Sequence, residues 1–222
     1  MIDLFIGKRA VVMRVLIIGA SQGIGLEATR QALAAGHQVR ALSRSASRMT
    51  LSDPRLEKVA GDALRQQDVQ SALVGVDAVI QCLGVGFGDL FSPVTLFSEA
   101  TRVLLAAMAA QGVKRLLCVT GFGAGDSRAS IHCLQRVPFQ LAFGRAYGDK
   151  SIQERLIKDS GLDWTIVRPG VLMNGQVTGR YQVLVEPTAW RNGLIARADV
   201  AEFLVAQLAE STYVHQSPVL VN

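Results

Sequence analysis

The sequence Arg14-Val-Leu-Ile-Ile-Gly-Ala-Ser-Gln-Gly-Ile-Gly25 decides the predicted fold. Its branched aliphatic run suits a strand that is buried on both faces, as the strands of parallel sheets are. Glycines then follow at 19, 23 and 25. Such a turn leads into a helix whose free backbone N–H groups can hold a pyrophosphate, and small residues let the backbone approach it closely. The stretch predicts a dinucleotide-binding turn with contacts from Gly19, Ser21, Gln22, Gly23, Ile24 and Gly25.

Strands and helices alternate along the rest of the chain. Further strands are predicted at 37–43, 56–60, 78–83, 114–120 and 163–168, and helices at 24–35, 66–73, 93–111 and 150–160. The section 121–148 is predicted to be long and less regular. This alternation indicates an α/β fold with a single Rossmann-type doubly wound parallel sheet and helices on both faces. We expect one NAD(P)-binding domain over 13–222 with small substrate-side insertions, preceded by an added arm over 1–12.

Composition and charge narrow the class of protein. Half of the 222 residues are hydrophobic and 18% are charged, which is typical of a globular chain with a large core. Because neither a membrane span nor a signal peptide is discernible, we expect a cytoplasmic protein without membrane association. The net charge of +5 comes mostly from basic residues scattered among acids, so no nucleic-acid partner is predicted. The three cysteines lack metal-ligand spacing, and no metal site is predicted.

The residues after the second strand distinguish the two nicotinamide cofactors. An NAD site usually has Asp or Glu there, which binds the ribose 2′-hydroxyl. This chain instead has Arg44, Ser45 and Arg48. A guanidinium binds a 2′-phosphate through two parallel hydrogen bonds, whereas a carboxylate would repel it. The pattern favours NADP (NADPH) over NAD, and the alternative interpretation is a solvated basic turn.

Three further strand ends are expected to line the same crevice, because ligands of open parallel sheets lie beyond the carboxyl ends of the strands. Asp62 and Ala63 follow the third strand, where the adenine would lie. Leu83 and Gly84 follow the fourth strand and would let the cofactor pass close to the backbone. Thr120 ends the fifth strand, beside the expected nicotinamide.

Several segments together resemble the atypical short-chain dehydrogenase/reductases. They are Gly19-Ala-Ser-Gln-Gly-Ile-Gly25, Gly61-Asp62, the Lys150…Glu154 helix and Thr165-Ile-Val-Arg-Pro-Gly170. Leu42-Ser-Arg-Ser-Ala-Ser-Arg48 and Leu90-Phe-Ser-Pro-Val-Thr-Leu-Phe-Ser-Glu99 look like the NAD(P)H-binding group that includes biliverdin IXβ reductase/flavin reductase. The resemblance spans Met13 to about Leu208 and implies the fold and a nicotinamide cofactor, with Pro169 and Gly170 among its expected contacts.

The catalytic helix departs from the pattern of the wider superfamily. There, Tyr-x-x-x-Lys lies on one helix face, and the lysine lowers the tyrosine pKa from about 10 toward working pH. This chain has Tyr147-Gly-Asp-Lys150, with Ala146 at the tyrosine's place. The resemblance implies that Lys150 holds the nicotinamide ribose; the alternative is a solvated lysine at a helix start. Tyr147 is a candidate proton donor or a packing residue, and Thr120 is the candidate active-site hydroxyl unless Gly121 displaces it.

We therefore expect an NAD(P)H-dependent oxidoreductase that passes hydride from NADPH to a small planar acceptor of the flavin, quinone or tetrapyrrole type. An aromatic-lined cleft is expected from Phe122, His132, Phe139 and Phe143. The incomplete catalytic pattern also fits an NADP(H)-sensing regulatory protein with little catalysis. A sugar-nucleotide epimerase is a third, weaker alternative, because its relatives need a larger C-terminal lobe. Both a monomer and a homodimer remain open.

Overall fold

The computed structural model describes residues 11–84, 95–130 and 133–222, with the backbone alone described for 133–144. Most of the expected N-terminal arm lies outside these ranges, and residues 11 and 12 have no regular secondary structure. The helices within the described ranges include none that is long and apolar enough to cross a membrane.

An eight-stranded sheet forms the centre of the molecule. Its strands lie in the order β3 (Leu56–Ala60), β2 (Gln38–Ser43), β1 (Arg14–Ile18), β4 (Ala78–Gln81), β5 (Arg115–Val119), β6 (Asp163–Pro169), β10 (Val219–Val221) and β8 (Gln182–Leu184). All neighbours are parallel except β8, which is antiparallel to β10. The remaining strands, β7 (Val171–Met173) and β9 (Leu194–Ala196), pair in parallel as a separate ribbon. The predicted Rossmann-type parallel sheet is confirmed.

Helices cover both faces of the sheet. They are α1 (Gly23–Ala34), α2 (Gln66–Leu73), α3 (Leu96–Gln111), α4 (Cys133–Lys158) and α5 (Arg197–Ala206). Val15 and Ile17 of β1 pack with buried residues of α1 and α5. Leu16 and Ile18 point to the other face, where they meet α2, α3 and α4. Full burial of each such side chain contributes roughly 1.5–3 kcal/mol, which explains why β1 is apolar without alternation.

The strand order fixes where a ligand can bind. From β1 the chain continues outward to β2 and β3, and then returns to β4 on the other side of β1. The two halves of the sheet diverge at this point, and their loops leave a crevice beyond the carboxyl ends of β1 and β4. The segments that follow β1, β2, β4 and β5 therefore surround one region.

The structure differs from the predicted elements in the section 121–148 and in the part of the chain after Gly170. Helix α2 matches its prediction, and α3 begins at Leu96, while the predicted helix start at Ser92-Pro93 lies outside the described residues. The section 121–148 was wrongly predicted to be irregular, because α4 already begins at Cys133 and continues through Gly148. Glycine costs a helix roughly 1 kcal/mol, which tertiary packing of the same helix outweighs. The elements after Gly170 were not predicted.

Helix α3 is capped by a side chain from another helix. Thr95, the N-cap residue that precedes the helix, makes no side-chain capping hydrogen bond. Instead, Asp149 of α4 accepts hydrogen bonds from the backbone N–H groups of Phe97 (2.8 Å) and Ser98 (3.2 Å). Asp149 is buried, so this carboxylate satisfies orphan donors of α3 and joins α3 to α4.

We expect Asp149→Ala to lower the free energy of unfolding by about 1–2 kcal/mol, because it leaves buried N–H groups of α3 unpaired. The measurement is the midpoint of urea unfolding at unchanged slope. Asp159→Ala, which removes an exposed carboxylate just beyond the same helix, is the matched control. A loss for Asp149→Ala no larger than that of the control would contradict the capping role.

Candidate functional site

The glycine turn after β1 brings three backbone segments into close approach. A Cβ on Gly19 would lie 2.6 Å from the carbonyl oxygen of Cys82, and Gly19 has a φ of +84°. A Cβ on Gly25 would lie 2.2 Å from the carbonyl oxygen of Gly19. Both positions therefore require glycine. The turn starts α1 directly at the crevice, where its free N–H groups suit an anion.

A cavity of about 190 Å³ lies beside this turn, at the end of β2, lined by Ser21, Ser45, Arg48 and Met49. The Ser45 hydroxyl donates a hydrogen bond to Ser21 Oγ (2.9 Å), which joins the loops after β2 and β1. Arg44 is exposed next to Ser45 and is not among the lining residues. Of the predicted basic residues, Arg48 thus lines the cavity, which offers hydroxyl and guanidinium donors.

The other strand ends lie along the same edge. Asp62 is engaged locally, because its carboxylate accepts from the N–H of Leu64 (3.0 Å) and its own N–H donates to Asp68 (2.8 Å). Ala63 and Leu83 are partly buried, and no atom of the described residues lies within 4 Å of a Cβ built on Gly84. These positions leave backbone available to a ligand at the ends of β3 and β4.

Pro169 and Gly170 have a structural reason for their identity. Pro169 ends β6, and a Cβ on Gly170 would lie 2.2 Å from the carbonyl oxygen of Gly193. The N–H of Val171 donates to that same carbonyl (2.7 Å). Gly170 therefore permits the close packing that starts the β7–β9 ribbon, whatever else it contacts.

Lys150 is buried within α4, only 9% exposed, which excludes the alternative of a solvated lysine at a helix start. Its Nζ lies 4.1 Å from the centroid of the Phe97 ring. Burial lowers the pKa of Lys150 to about 8, although Cys118, Glu154, Cys82 and Asp149 act in the opposite direction. Burial also raises the pKa of Cys82 to about 12, so that this free thiol is protonated at neutral pH. The ammonium form of Lys150 prevails at neutral pH and titrates just above it.

The Thr120 hydroxyl is held by a buried ion pair. It donates to Glu154 Oε1 (2.7 Å), and Arg168 binds the same carboxylate through Nε (3.0 Å) and Nη2 (2.5 Å). Arg168 and Glu154 are almost fully buried, and Arg168 also pairs with Asp126. Since its proton is directed to Glu154, Thr120 presents lone pairs to the crevice and acts there as a hydrogen-bond acceptor.

Tyr147 reaches the end of β5 next to Thr120. A Cβ on Gly121 would lie 2.8 Å from the Tyr147 hydroxyl oxygen, so the absence of a side chain at 121 makes room for the phenol. Burial raises the pKa of Tyr147 above its ordinary value, contrary to the superfamily pattern in which a lysine lowers it. At neutral pH the phenol keeps its proton and is a candidate donor.

Phe122 does not line the expected aromatic cleft. This residue is buried and packs with Val219 and Val221, with Trp190 against the same cluster. Trp190 also stacks on the Arg168 guanidinium, 5.0 Å from the ring centroid. The side chains of His132, Phe139 and Phe143 lie outside the described part of the chain. Phe122 was predicted as a cleft residue because its place after β5 did not reveal that β10 covers it.

Glu154 and Arg168 belong to motifs of the sequence but had no predicted role. The pattern of charged residues on α4 could have indicated that they form a buried pair. Asp149, Lys150, Gln153 and Glu154 recur at the spacing of one helix face, between the buried Ala146 and Ile157. Charged residues on a core-facing stripe require partners, and an arginine inside the apolar strand β6 was the matching half. Among the described residues, no cluster of His, Cys, Asp and Glu suited to a metal ion is found.

Comparison with known proteins gives the family. A family model described as NAD(P)H-binding matches residues 19–211. An uncharacterised chloroplastic protein of Arabidopsis thaliana is 30% identical over 203 residues, which are 89% of this chain and 72% of that protein. The uncharacterised sugar epimerase YhfK of Bacillus subtilis is 28% identical over 211 residues, 89% of each chain. The anaerobillin reductase ChuY of Escherichia coli O157:H7 superposes with a TM-score of 0.77 at 24% identity, covering 94% of this chain and 96% of that one.

These comparisons fit the geometry of the crevice. They agree with the expected oxidoreductase class, since the matching family model is described as NAD(P)H-binding and NAD(P)H is a redox cofactor. The chloroplastic relative leaves the cytoplasmic location a prediction. The glycine turn, the sheet topology and the match over 19–211 agree, and the chain belongs to the NAD(P)H-binding family.

Proposed function

We propose that this protein is an NADPH-dependent reductase that transfers hydride to a small planar acceptor. The observation that carries the proposal is that two groups of polar residues lie at the carboxyl edge of one parallel sheet. The glycine turn and the 190 Å³ cavity lie at the ends of β1 and β2, whereas Thr120 and Tyr147 lie at the end of β5, with Lys150 on the same helix as Tyr147. This arrangement suits a dinucleotide with its phosphates at one group and its reactive ring at the other.

The choice of NADP over NAD is supported by the residues after β2. The cavity is lined by Ser21, Ser45, Arg48 and Met49, and among these described lining residues there is no carboxylate that would bind a free 2′-hydroxyl or repel a phosphate. Arg48 and the two hydroxyls would hold a 2′-phosphate, and Arg44 would approach it from the exposed side. The turn of α1 and the backbone after β3 and β4 would hold the pyrophosphate and the adenosine.

At the reactive end, each side chain has a distinct task. Bound NADPH supplies the hydride. Lys150, buried and mostly charged at neutral pH, would donate hydrogen bonds to the nicotinamide ribose. Thr120 would accept one from the carboxamide or the acceptor, and Tyr147 would supply a proton to the reduced acceptor. The protein's main contribution is the orientation of the two reactants.

The class of acceptor is supported by chemistry and by likeness. ChuY, whose fold this chain shares, is an anaerobillin reductase, which is consistent with a tetrapyrrole-type acceptor. Flavins and quinones belong to the same proposal, because they too are flat conjugated hydride acceptors.

We also propose that 13–222 forms one domain, that 1–12 is an added arm, and that the protein acts as a monomer or homodimer.

An NADP(H)-sensing regulatory protein is the second candidate. The orientation of the Thr120 proton toward Glu154 favours it, because this hydroxyl then does not donate its proton to a substrate. The name of the Bacillus relative keeps a sugar-nucleotide epimerase as a weaker alternative. An NADPH-oxidation screen over flavins, quinones and tetrapyrroles separates the candidates. We expect turnover of at least one acceptor class, whereas tight NADPH binding without any turnover would favour the sensor.

Arg48→Glu should weaken NADPH binding by about 10–100-fold and leave NADH binding within about twofold, because only NADPH carries the 2′-phosphate. Arg44→Glu should act in the same direction with a smaller effect. Calorimetric titration with both cofactors gives the measurement. Arg155→Glu, an equal charge change on an exposed position of α4, is the control. An equal loss of NADPH and NADH affinity in Arg48→Glu would exclude the 2′-phosphate role.

The affinity for NADPH should depend on the protonation of Lys150. Because its pKa is lowered to about 8, the ammonium is present below that pH and is lost as the pH rises through it. We expect about a fivefold loss of affinity across this range, since a hydrogen bond from a charged donor is stronger than one from a neutral amine. Lys150→Arg should abolish this step, because a guanidinium stays charged. An unchanged step in Lys150→Arg would remove Lys150 from the cofactor site.

Tyr147→Phe should lower kcat by about 10²-fold with an acceptor found in the screen, while the Kd for NADPH stays the same. The variant keeps the ring that fills the space beside Gly121 and removes only the hydroxyl. Tyr181→Phe is the matched control, since its hydroxyl binds Glu202 instead. Unchanged turnover in Tyr147→Phe would make Tyr147 a packing residue.

A further inference from the structure

Arg197, the first residue of α5, faces the glycine turn. A Cβ built on Gly23 would lie 4.0 Å from Arg197 Nε. Gly23 is the first residue of α1, so the half-buried guanidinium lies at the opening of the turn. No sequence motif pointed to this residue, which is separated from the turn by most of the chain.

The packing of α5 on α1 fixes this position. Ala28 and Ala32 of α1 are fully buried with Val200 and Ala201 of α5, so the two helices approach closely through small side chains. Gln31 of α1 also donates a hydrogen bond to the carbonyl of residue 198 (2.9 Å). The start of α5 is thereby held beside the start of α1, and the positive ends of both helix dipoles are near the Arg197 charge.

The charge of Arg197 is not neutralised by a carboxylate in the described part of the chain. Its Nη1 donates to Asn174 Oδ1 (2.9 Å) and, at 3.4 Å, to the carbonyl of Leu172. The nearby carboxylate of Asp199 is occupied by Thr178 and the N–H of Gly179. Hydrogen bonds to described residues thus use Nη1 alone, and Nε faces Gly23 with donors left over.

We propose that Arg197 is a pyrophosphate-binding residue, an inference that rests on the proposed dinucleotide function. Its Nε lies 4.0 Å from a Cβ built on Gly23, where α1 begins, so a pyrophosphate in the turn would lie near this guanidinium as well as the free N–H groups of α1. A pyrophosphate carries two negative charges, and a planar guanidinium binds phosphate oxygens strongly because it donates two parallel, charge-assisted hydrogen bonds. The bonds from Nη1 to Asn174 and Leu172 would tie the bound anion to the end of β7.

The experiment compares three ligands in the full chain. NADP⁺ and 2′-phospho-ADP-ribose both contain the pyrophosphate, and only NADP⁺ has the nicotinamide. Adenosine 2′-monophosphate keeps the 2′-phosphate and lacks the pyrophosphate. Dissociation constants are measured by calorimetry for the wild type, Arg197→Gln, Arg197→Lys and the control Arg191→Gln. Arg191 is an exposed arginine that binds Gln182 (2.7 Å).

We expect Arg197→Gln to weaken NADP⁺ and 2′-phospho-ADP-ribose equally, by about 10–100-fold, and adenosine 2′-monophosphate by less than about twofold. Arg197→Lys should lose less, and Arg191→Gln should match the wild type. Equal weakening of all three ligands, weakening of NADP⁺ alone, or no weakening would each overturn the role of Arg197. If the wild type binds none of the three, the proposed function itself fails, which distinguishes the two failures.

Discussion

The contact between residue 25 and the carbonyl of residue 19 is the constraint on which the structure depends. A Cβ at Gly25 would approach that oxygen to 2.2 Å, so α1 starts against the end of β1 only when residue 25 has no side chain. The same turn passes the carbonyl of Cys82, which brings the end of β4 against β1. The position of α1 then sets that of α5 through their small buried residues. One steric requirement thus places the phosphate end of the crevice and, far along the chain, Arg197.

Helix α4 imposes a second constraint, which is electrostatic. Its buried face carries charged and amide side chains, and each buried charge needs a partner to offset its desolvation. Asp149 is satisfied by the N–H groups of α3, and Glu154 by Arg168 and Thr120. Burial lowers the pKa of Lys150 toward neutrality, and the carboxylates of Glu154 and Asp149 offset this lowering only in part. The incomplete compensation of this charge marks a position on the described part of α4 that a ligand would complete.

The predictable part of this protein is local in sequence. The apolar run before residue 19, the glycine spacing and the arginines after β2 are contiguous signals, and the sheet and the polar cavity followed from them. The extent of α4 did not, because Gly148 disfavours a helix locally and only packing against the sheet outweighs it. Nor could the pairing of β10 with β6 be foreseen, since a three-residue strand has too little pattern. The Thr120–Glu154–Arg168 cluster joins β5, α4 and β6, and only the folded chain shows which motif residues meet.

The arrangement around Thr120 bears on the choice of acceptor. With its proton directed to the Glu154 carboxylate, which Arg168 also binds, Thr120 is fixed as an acceptor. Tyr147 is the remaining candidate donor, and its raised pKa makes it a weak acid. Such an acid gives up its proton only as hydride transfer makes the acceptor basic, so the two transfers must be coupled. A flavin or quinone spreads the incoming charge over a conjugated system, so this coupling does not require a strong acid. A simple ketone, whose alkoxide needs immediate protonation, would demand more of Tyr147. The candidate proton donor of the site therefore favours a conjugated, planar acceptor, and this argument does not depend on the similarity to any known protein.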